Sequence, residues 1–358
     1  MQDYINKFGN GIPQRFITFF FCLITCHLNA QPEIDYSWTD NQYPEYIKRL
    51  SLWGERPDWS HDGKRILFIA RTFGDVYEIE IATGIIRPIT HHYYHGGYSR
   101  ALYLSNGDIL LLGPKYFSSD NWKEARFKKT ELWVLNKKLD SPPDRLGEFI
   151  WEGPAVSRTQ LRIAWAQHHG NYPVQNRYWN IWVADIDYSS GRPQLKNQRV
   201  VLDNSKGEVK DAVLEPQNFR PGNEDELTIQ SNHNGTEVMM LNIKTGELNN
   251  YSRSPFSYDE PEGIFPDGQY TLVESSRHQT SESTAGNIDI YELKLDTTRT
   301  WERITYFNKN GKFKASNPVI SDDGKLMAFM VALIEEVAGI GHGIYILNIE
   351  KYKKLRGK

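Results

Sequence analysis

A short polar turn followed by an apolar run occurs twice in this chain, once near each end. The first copy reads SHDGKRILFIA at Ser60–Ala70, and the second reads SDDGKLMAFMVA at Ser321–Ala332. In both copies Asp-Gly-Lys has the composition of a turn, and the run after it has the composition of a buried strand. A unit that recurs across a chain of 358 residues predicts a repeat architecture.

Looser copies of the same unit fill the sequence between these two. Each copy contains several short alternating or apolar strands separated by Gly, Asn or Asp turns, with roughly 45–65 residues between copies. The six copies are Arg56–Thr90, Ser99–Lys138, Gly153–Leu202, Glu215–Ser252, Glu260–Thr305 and Ser316–Lys351. No long segment with helical periodicity competes with them. We therefore predict an all-β fold, a six-bladed β-propeller of four-stranded antiparallel blades.

The sixth copy contains only three strands. The segment Tyr43–Trp53, which precedes the first copy, has the pattern of a single outer strand. We predict that it completes the sixth blade, which closes the ring and removes an open sheet edge; the alternative is an irregular N-terminal arm. The predicted organisation is a signal peptide over residues 1–30, an arm with the closing strand over 31–55, and the propeller over 56–358.

The first thirty residues have the features of a secretory signal peptide. Lys7 and Arg15 precede the apolar run Phe16–Cys26, and the small residue Ala30 follows it. This run is too short to span a membrane as a helix. Thr25 stands where a lipoprotein signal has a small residue before its cysteine, so we expect cleavage after Ala30 and no lipid anchor. The sequence predicts a periplasmic or secreted protein with no transmembrane segment in the mature chain.

Cysteine content and charge exclude several classes of function. Both cysteines, Cys22 and Cys26, lie inside the signal segment, so the mature chain would have no disulfide, no thiolate metal site and no cysteine nucleophile. The formal charge of −3 gives no electrostatic reason to expect nucleic acid as a partner. The absence of a G-x-S-x-G motif argues against a serine peptidase.

Three of the copies resemble the repeats of a known family. The stretches PDWSHDGKRILFIA, GIFPDGQYTLVE and NPVISDDGKLMAFM resemble the WD40-like (PD40) repeats of TolB-type six-bladed propellers and their secreted relatives. The resemblance covers most of the mature chain, although TolB itself carries an additional α/β domain before its propeller. It implies an exported propeller that binds a carbohydrate or a periplasmic or outer-membrane protein. Because this blade serves many activities, the resemblance does not define the ligand.

The histidines of the mature chain concentrate in one set of loops. In a propeller blade, the loops between strands two and three and the connections between blades emerge on one face, which we call the loop face. Of the nine histidines after the signal, all but His61 map to it: His91, His92, His95, His168, His169, His233, His278 and His342. Part of this bias reflects the greater length of these loops. Imidazoles can bind metal or transfer protons near neutral pH.

Arginines and aromatic residues lie in the same loops and suit an acidic saccharide. Guanidinium groups pair with carboxylates, and exposed aromatic rings suit the apolar faces of sugars. The candidate ligand-binding residues are Arg100, His168, Tyr172, Arg177 and Trp179. An acidic oligo- or polysaccharide is therefore the candidate carbohydrate partner.

A distant similarity to oligogalacturonate lyases, which are also propellers, implies a second possible function. Those enzymes hold manganese with histidines and a glutamine and use a further histidine as base, while ulvan lyases pair histidine with tyrosine. In such β-elimination a cation or arginine neutralises the uronate carboxylate and acidifies the C5 proton. By this analogy the metal candidates are His278, Gln279 and His342, with Mn or Ca as the cation. The catalytic candidates are His95 and Tyr98 as base and Arg277 as carboxylate clamp.

Several residues of these loops and strands also have a structural interpretation. The segment His91–His95 could pack a loop over the channel, and His168 could lie in a solvated loop. His233 precedes Asn-Gly, which forms tight hairpin turns, and Asp289 begins a strand where a structural hydrogen bond is expected. The sequence leaves two functions open: a propeller that binds its ligand on a His-rich loop face, and a lyase acting on a uronate-containing saccharide.

Overall fold

The computed structural model contains six four-stranded antiparallel sheets, arranged as the blades of a propeller. It describes residues 44–168, 178–233, 235–279 and 286–357. One short strand precedes the first complete blade, β1 (Ile47–Arg49). Blade one consists of β2 (Glu55–Trp59), β3 (Arg65–Ile69), β4 (Val76–Glu80) and β5 (Ile86–Pro88). Blade two consists of β6 (Arg100–Tyr103), β7 (Ile109–Pro114), β8 (Thr130–Leu135) and β9 (Asp144–Phe149).

The remaining blades follow in chain order. Blade three consists of β10 (Ala155–Val156), β11 (Arg162–Gln167), β12 (Asn180–Asp187) and β13 (Gln194–Asp203). Blade four consists of β14 (Val213–Arg220), β15 (Asn223–Asn232), β16 (Thr236–Asn242) and β17 (Leu248–Asn250). Blade five consists of β18 (Asp259–Ile264), β19 (Tyr270–Ser275), β20 (Asp289–Lys294) and β21 (Trp301–Arg303). Blade six contains β22 (Phe313–Ile320), β23 (Leu326–Leu333) and β24 (Ile344–Asn348).

Helical segments in the described ranges are short. They are α1 (Trp122–Lys128), α2 (Ile349–Leu355) and the 3₁₀ turns Ser119–Asn121, Gly207–Val209 and Phe307–Asn310. Among the described residues, no helix has the length and apolar character needed to span a bilayer.

The two sequence copies near the chain ends fold into the same turn. In both, the backbone N–H five residues after the serine donates to the Oγ atom of Ser60 or Ser321, over 3.0 Å. The glycines of these turns, Gly63 and Gly324, have φ angles of 66° and 72°, a conformation that glycine adopts without steric cost. The Asp-Gly-Lys signal therefore ends the first strand of a blade and starts the second.

The predicted closing strand is confirmed. β1 pairs antiparallel with β24, with Lys48 opposite Ile346, and it completes the sheet of blade six. The ring of Tyr46, just before β1, packs edge-on against Tyr352 of α2 at a centroid distance of 5.4 Å. The N-terminal and C-terminal parts of the described chain are thus joined in one blade, in which β1 covers the edge of β24.

The core lies between neighbouring blades rather than inside any single one. Between blades six and one, for example, the fully buried Trp59, Ile66 and Phe68 pack against Ala328 and Met330. Similar apolar clusters join blades one to two, two to three and three to four. Burying a large apolar side chain contributes about 1.5–3 kcal/mol, so each blade depends on its neighbours for stability.

Candidate functional site

A cavity of about 160 Å³ lies at one end of the channel between the blades. The first strands of the blades line it, together with Arg126 in α1 and residues 336–340 in the loop between β23 and β24. That loop connects a second to a third strand, so the cavity is at the loop face. We call it the mouth cavity. Its charged lining consists of Glu55, Arg56, Arg100, Arg126, Glu152, Glu215, Glu260, Glu262, Glu274, Lys314 and Glu336.

Equivalent positions in the repeat supply many of these side chains. Five of the six copies have a proline near the start of the blade. The residues that directly precede these prolines are Arg56, Gly153, Glu215, Glu260 and Asn317. Four of these side chains line the mouth cavity, and the fifth position is the glycine. A ring of equivalent positions therefore converges at the channel axis.

Arg100 and Glu262 form a buried ion pair across the channel. The Nη2 atom of Arg100 lies 2.9 Å from Glu262 Oε2, and the Asn317 amide donates to Glu262 Oε1 over 2.8 Å. Burial opposes ionisation of the guanidinium, but the charge of Glu262 outweighs it and raises the pKa of Arg100. Arg100 therefore stays positively charged inside the mouth cavity.

A second charged group joins α1 to the start of blade three. Arg126 donates to both carboxylate oxygens of Glu152, and Arg56 Nη2 lies 3.7 Å from the same carboxylate. Burial alone would raise the pKa of Glu152, but the hydrogen bond from Arg126 and the two positive charges lower it. Glu152 is therefore an ionised carboxylate held between two arginines.

Three glutamates on blade five form an acidic group. Glu260, Glu262 and Glu274 bring carboxylate oxygens within 4.8 Å of one another, and in the described part of the chain this is the one set of three or more His, Cys, Asp or Glu side chains with that geometry. Carboxylate oxygens are ligands that hard divalent cations accept. Burial and neighbouring glutamates raise the pKa of Glu274 to about 7 and that of Glu260 well above its ordinary value.

Glu215 is buried in the mouth cavity without a hydrogen-bond partner among the described residues. The residue is 7% exposed, and its carboxylate lies against Gly153, where a Cβ atom would approach Oε1 to 1.8 Å. Gly153 has φ 61°, so both the backbone conformation and the lack of a side chain make room for this carboxylate. Burial, followed by the charges of Glu152 and Glu262, raises the pKa of Glu215 to about 8.

The raised pKa of Glu215 predicts a specific pH dependence of stability. Because its folded-state pKa of about 8 exceeds the ordinary value of 4.5, this group favours folding below pH 4.5, and that contribution is lost as pH rises to 8. We expect Glu215→Gln to raise the free energy of unfolding at pH 8.5 by on the order of 2–4 kcal/mol. At pH 5 the variant should change it little.

Urea unfolding of both proteins between pH 5 and 9 measures this difference. Glu80→Gln, at an exposed position at the end of β4 in blade one, is the matched control and should follow the parent at every pH. An equal effect of Glu215→Gln at pH 5 and 8.5 would contradict the assignment.

Aromatic rings form a cluster next to the mouth cavity. Phe127 stacks on Trp151 at 4.9 Å, Trp179 meets Trp151 edge-on at 4.9 Å, and His168 stacks on Trp179 at 4.6 Å. All four side chains are only partly buried. We call these residues the aromatic cluster. It includes His168 and Trp179, two of the ligand-binding candidates; Tyr172 and Arg177 lie outside the described residues.

The catalytic candidates His95 and Tyr98 lie side by side between blades one and two. Their rings stack at 4.8 Å. His95 Nε2 lies 2.9 Å from Asp75 Oδ1, and its Nδ1 accepts the N–H of Gly97 over 2.9 Å, so both ring nitrogens are engaged. Tyr98 is 3% exposed, and burial raises the pKa of its phenol. Their role as base stays a prediction, although this environment favours a protonated, packed Tyr98.

The clamp candidate Arg277 is surrounded by partners from blades four and five. Its guanidinium lies over the ring of Trp301 at 3.7 Å and 3.4 Å from Asp259 Oδ2. It also donates to Ser254 Oγ and, over 3.2 Å, to the carbonyl of Ser252. These polar contacts all use Nη2, whereas Nε is buried without a hydrogen-bond partner among the described residues. The role of Arg277 as a carboxylate clamp stays a prediction.

Two metal candidates meet at one acceptor. Gln279 donates to Asn308 Oδ1 over 2.7 Å, and His278 Nε2 lies 3.0 Å from the same oxygen. The hydroxyl of Tyr291 lies 3.3 Å from His278 Nδ1, and burial lowers the pKa of this imidazole. His278 is therefore favoured in the neutral form that could ligate metal.

The third metal candidate, His342, has a different partner. Its Nε2 atom lies 2.6 Å from Oε2 of Glu336, which lines the mouth cavity. Among the sequence candidates, Arg100 lines that cavity directly and His342 reaches it through Glu336. The metal role of His278, Gln279 and His342 stays a prediction.

Sequence reasoning missed the glutamates of the mouth cavity. It selected histidines in the loops, whereas the cavity is lined by residues at the start of the innermost strands. The recurring dipeptides Glu215-Pro216 and Glu260-Pro261 were the available signal, because they occupy equivalent positions in adjacent copies. Aligning the copies on these prolines would have placed the acidic residues side by side.

Solved structures share this architecture. TolB from Acinetobacter baumannii matches over 81% of this chain and 65% of its own, at 10% identity and a TM-score of 0.52. An oligogalacturonate lyase solved in complex with manganese matches over 82% of this chain and 77% of its own, at 14% identity and a TM-score of 0.51. A gluconolactonase from Xanthomonas campestris matches over 84% of this chain and 88% of its own, at 11% identity and a TM-score of 0.54.

These likenesses concern the fold. No protein-family model matches the sequence, and no curated protein matches it. The chain spans less than two thirds of the TolB structure. At identities of 10–14% the shared architecture does not transfer a ligand or an activity. The chain has a six-bladed β-propeller fold that is similar to the folds of TolB and of an oligogalacturonate lyase.

Proposed function

We propose that this chain is an exported carbohydrate-binding propeller whose ligand lies across the aromatic cluster and the mouth cavity. Export is proposed because the first thirty residues have the sequence features of a signal peptide. The main support for a binding function is that the aromatic cluster and the mouth cavity are directly connected. Arg126 and Glu152, which line the cavity, pair with each other, and their chain neighbours Phe127 and Trp151 stack in the cluster.

This combination suits a sugar. Partly exposed aromatic rings offer flat apolar surfaces to the C–H faces of a sugar ring, while carboxylates and guanidinium groups accept and donate hydrogen bonds to hydroxyls. Small-ligand sites combine apolar walls with a few converging polar groups in this way. The rim adds two exposed apolar side chains, Val337 and Ile340, which extend the contact surface beyond the cavity.

A lyase acting on a uronate is the second candidate for this face. The observation in its favour is the acidic group, since Glu260, Glu262 and Glu274 fit the oxygen-ligand preference of Mn²⁺ or Ca²⁺. Such an ion would neutralise the uronate carboxylate. Against it, Arg56, Arg100 and Arg126 are already paired with Glu152 or Glu262, so the cavity offers few uncommitted positive groups. Binding without chemistry is the better-supported function.

Trp179→Ala tests the proposed function. Against an immobilised array of neutral, cationic and anionic oligosaccharides, the purified mature chain should bind at least one class. Trp179→Ala should weaken that binding roughly tenfold or more, because aromatic anchors dominate such contacts. Tyr94→Ala is the matched control, since Tyr94 is 90% exposed in the blade one to blade two connection of the same face; it should bind like the parent.

Two results would count against the proposal. The first is a folded protein that binds no saccharide on the array. The second is an equal loss of saccharide affinity in Trp179→Ala and Tyr94→Ala, which would show that binding does not depend on the aromatic cluster. An assay of absorbance near 235 nm, where unsaturated uronates absorb, distinguishes the lyase from the binding protein. With Mn²⁺ or Ca²⁺ added, only a lyase produces a rise in absorbance at this wavelength.

A further inference from the structure

We infer that the mouth cavity receives the ammonium group of an amino sugar. This inference rests on the carbohydrate-binding function proposed above and names the ligand class. It differs from the acidic saccharide that the sequence alone favours, and the difference arises from side chains that only the folded ring brings together.

The first argument is the charge of the cavity. Seven glutamates line it against three arginines and one lysine. Arg100 is committed to Glu262, while Arg56 and Arg126 share Glu152. The surplus is therefore acidic and lies mainly on blades four and five, in Glu215, Glu260 and Glu274. A positive ligand group relieves the repulsion among buried carboxylates, whereas a uronate adds to it.

Glu215 is the second and independent observation. It is more than nine-tenths buried, lines the cavity and has no hydrogen-bond partner among the described residues. A buried carboxylate without a partner is costly, and buried polar groups in proteins are generally hydrogen-bonded. The chain nevertheless keeps space for this carboxylate, because Gly153 has no side chain where Oε1 lies. A donor supplied by a ligand would complete the site.

Geometry favours an ammonium group over a bare metal ion. An ammonium carries three donors, and the carboxylate oxygens of Glu260, Glu262 and Glu274 lie within 4.8 Å of one another, near enough to converge on one group. The cavity volume of about 160 Å³ is far more than one dehydrated ion needs but can admit part of a sugar ring. The adjacent aromatic cluster also suits a cation, which aromatic faces attract.

A charge series of oligosaccharides tests the inference. Isothermal titration calorimetry at pH 6.5 compares the β-1,4 tetramer of glucosamine, its neutral N-acetyl counterpart and a tetramer of galacturonate. Tetralysine reports attraction by charge alone, and Mn²⁺ reports metal binding. We expect the glucosamine tetramer to bind at least about tenfold more tightly than its N-acetyl counterpart, as a charge-assisted hydrogen bond predicts, with galacturonate weakest.

Glu215→Gln locates the effect. It keeps the shape of the side chain but cannot release a proton and become a carboxylate beside a bound ammonium, so the ratio of the affinities for the glucosamine and N-acetylglucosamine tetramers should fall about tenfold. Glu80→Gln, exposed on blade one, is the control and should keep the preference. If Glu215→Gln does not fold, Glu260→Gln tests the acidic group on the adjacent blade five.

The outcomes separate the inference from the function on which it rests. Equal or tighter binding of the neutral or anionic tetramer overturns the ammonium site and leaves carbohydrate binding intact. Tighter binding of tetralysine than of the glucosamine tetramer overturns the saccharide assignment. If Mn²⁺ binds the parent but not Glu260→Gln, and glucosamine is not preferred, the cavity is a metal site and not an ammonium site. Failure of all three tetramers to bind overturns the proposed function itself.

Discussion

Asp289→Ala is expected to lower the free energy of unfolding by about 3–5 kcal/mol. Asp289, at the start of β20, is fully buried. Its carboxylate accepts hydrogen bonds from Arg303 at 2.5 Å, Thr305 at 2.9 Å and the backbone N–H groups of Phe307 at 2.8 Å and Asn308 at 3.2 Å. Removing it takes away the acceptor of Arg303 Nη2, of the Thr305 hydroxyl and of two buried N–H groups, and each such loss is costly.

The consequences of this change should extend beyond stability. Asn308, held by Asp289, accepts the hydrogen bonds from His278 and Gln279, so the loop that presents these side chains should loosen. Urea unfolding at pH 7 measures the loss, and Asp140→Ala, at an exposed turn, is the control, expected within about 0.5 kcal/mol of the parent. A cost below about 1 kcal/mol for Asp289→Ala would show that the network is not a structural centre.

Arg100→Met should also cost about 3–5 kcal/mol of unfolding free energy at pH 7.5. The substitution keeps much of the volume of the side chain. It leaves Glu262, buried among Glu215, Glu260 and Glu274, without the arginine that pairs with it. Arg100 also lowers the pKa of Glu215, so its loss raises the repulsion within the mouth cavity. At pH 4.5 the cost should shrink, because Glu215, Glu260 and Glu274 have raised pKa values, are protonated there and add no negative charge around Glu262.

A double-mutant cycle isolates this interaction. Glu262→Gln alone removes one negative charge, and Arg100→Met with Glu262→Gln leaves neither partner charged. We expect the double variant to be more stable than Arg100→Met, since removing both charges avoids an uncompensated buried one. Additive effects of the two substitutions would contradict a direct coupling between these side chains, as would an unchanged cost at low pH.

The acidic surplus of the mouth cavity connects stability with binding. Glu215, Glu260 and Glu274 all have raised pKa values because they are buried near one another. Repulsion among these carboxylates destabilises the ligand-free protein at alkaline pH. A cationic ligand that binds in the mouth cavity restores stability, because it binds the folded state and not the unfolded chain. Sites that bind ligands commonly carry such a cost to the empty protein.

The copies of the turn-strand unit predict the fold because their information is local. Asp-Gly-Lys sets the turn after Ser60 and after Ser321, and the apolar runs that follow predict buried strands. The missing fourth strand of the sixth copy was enough to predict that β1 closes the ring, and the structure confirms it. The loops of each copy also indicate that Arg126 and the residues before His342 emerge on one face, where the mouth cavity opens.

The partners of the charged residues were not predictable in the same way. Arg100 and Glu262 are 162 residues apart, and His61 and Asp322, which occupy equivalent positions of the two opening copies, meet at 2.8 Å only because blades one and six are neighbours. Similarly, His278 and His342 share a face by sequence position but hydrogen-bond to Asn308 and Glu336. Position in the repeat indicates the face of a residue and not its partner.

The blade, the number of blades and the closure of the ring were therefore predictable from the amino-acid sequence, since each depends on periodicity and turn chemistry within about sixty residues. The site was not predictable, because it forms only in the closed ring. Closing the ring brings the first strands of all blades around one axis, and a side chain such as Glu215 acquires its burial, its neighbours and its raised pKa from residues on other blades. Long-range electrostatics and burial, which no single repeat contains, made the mouth cavity acidic.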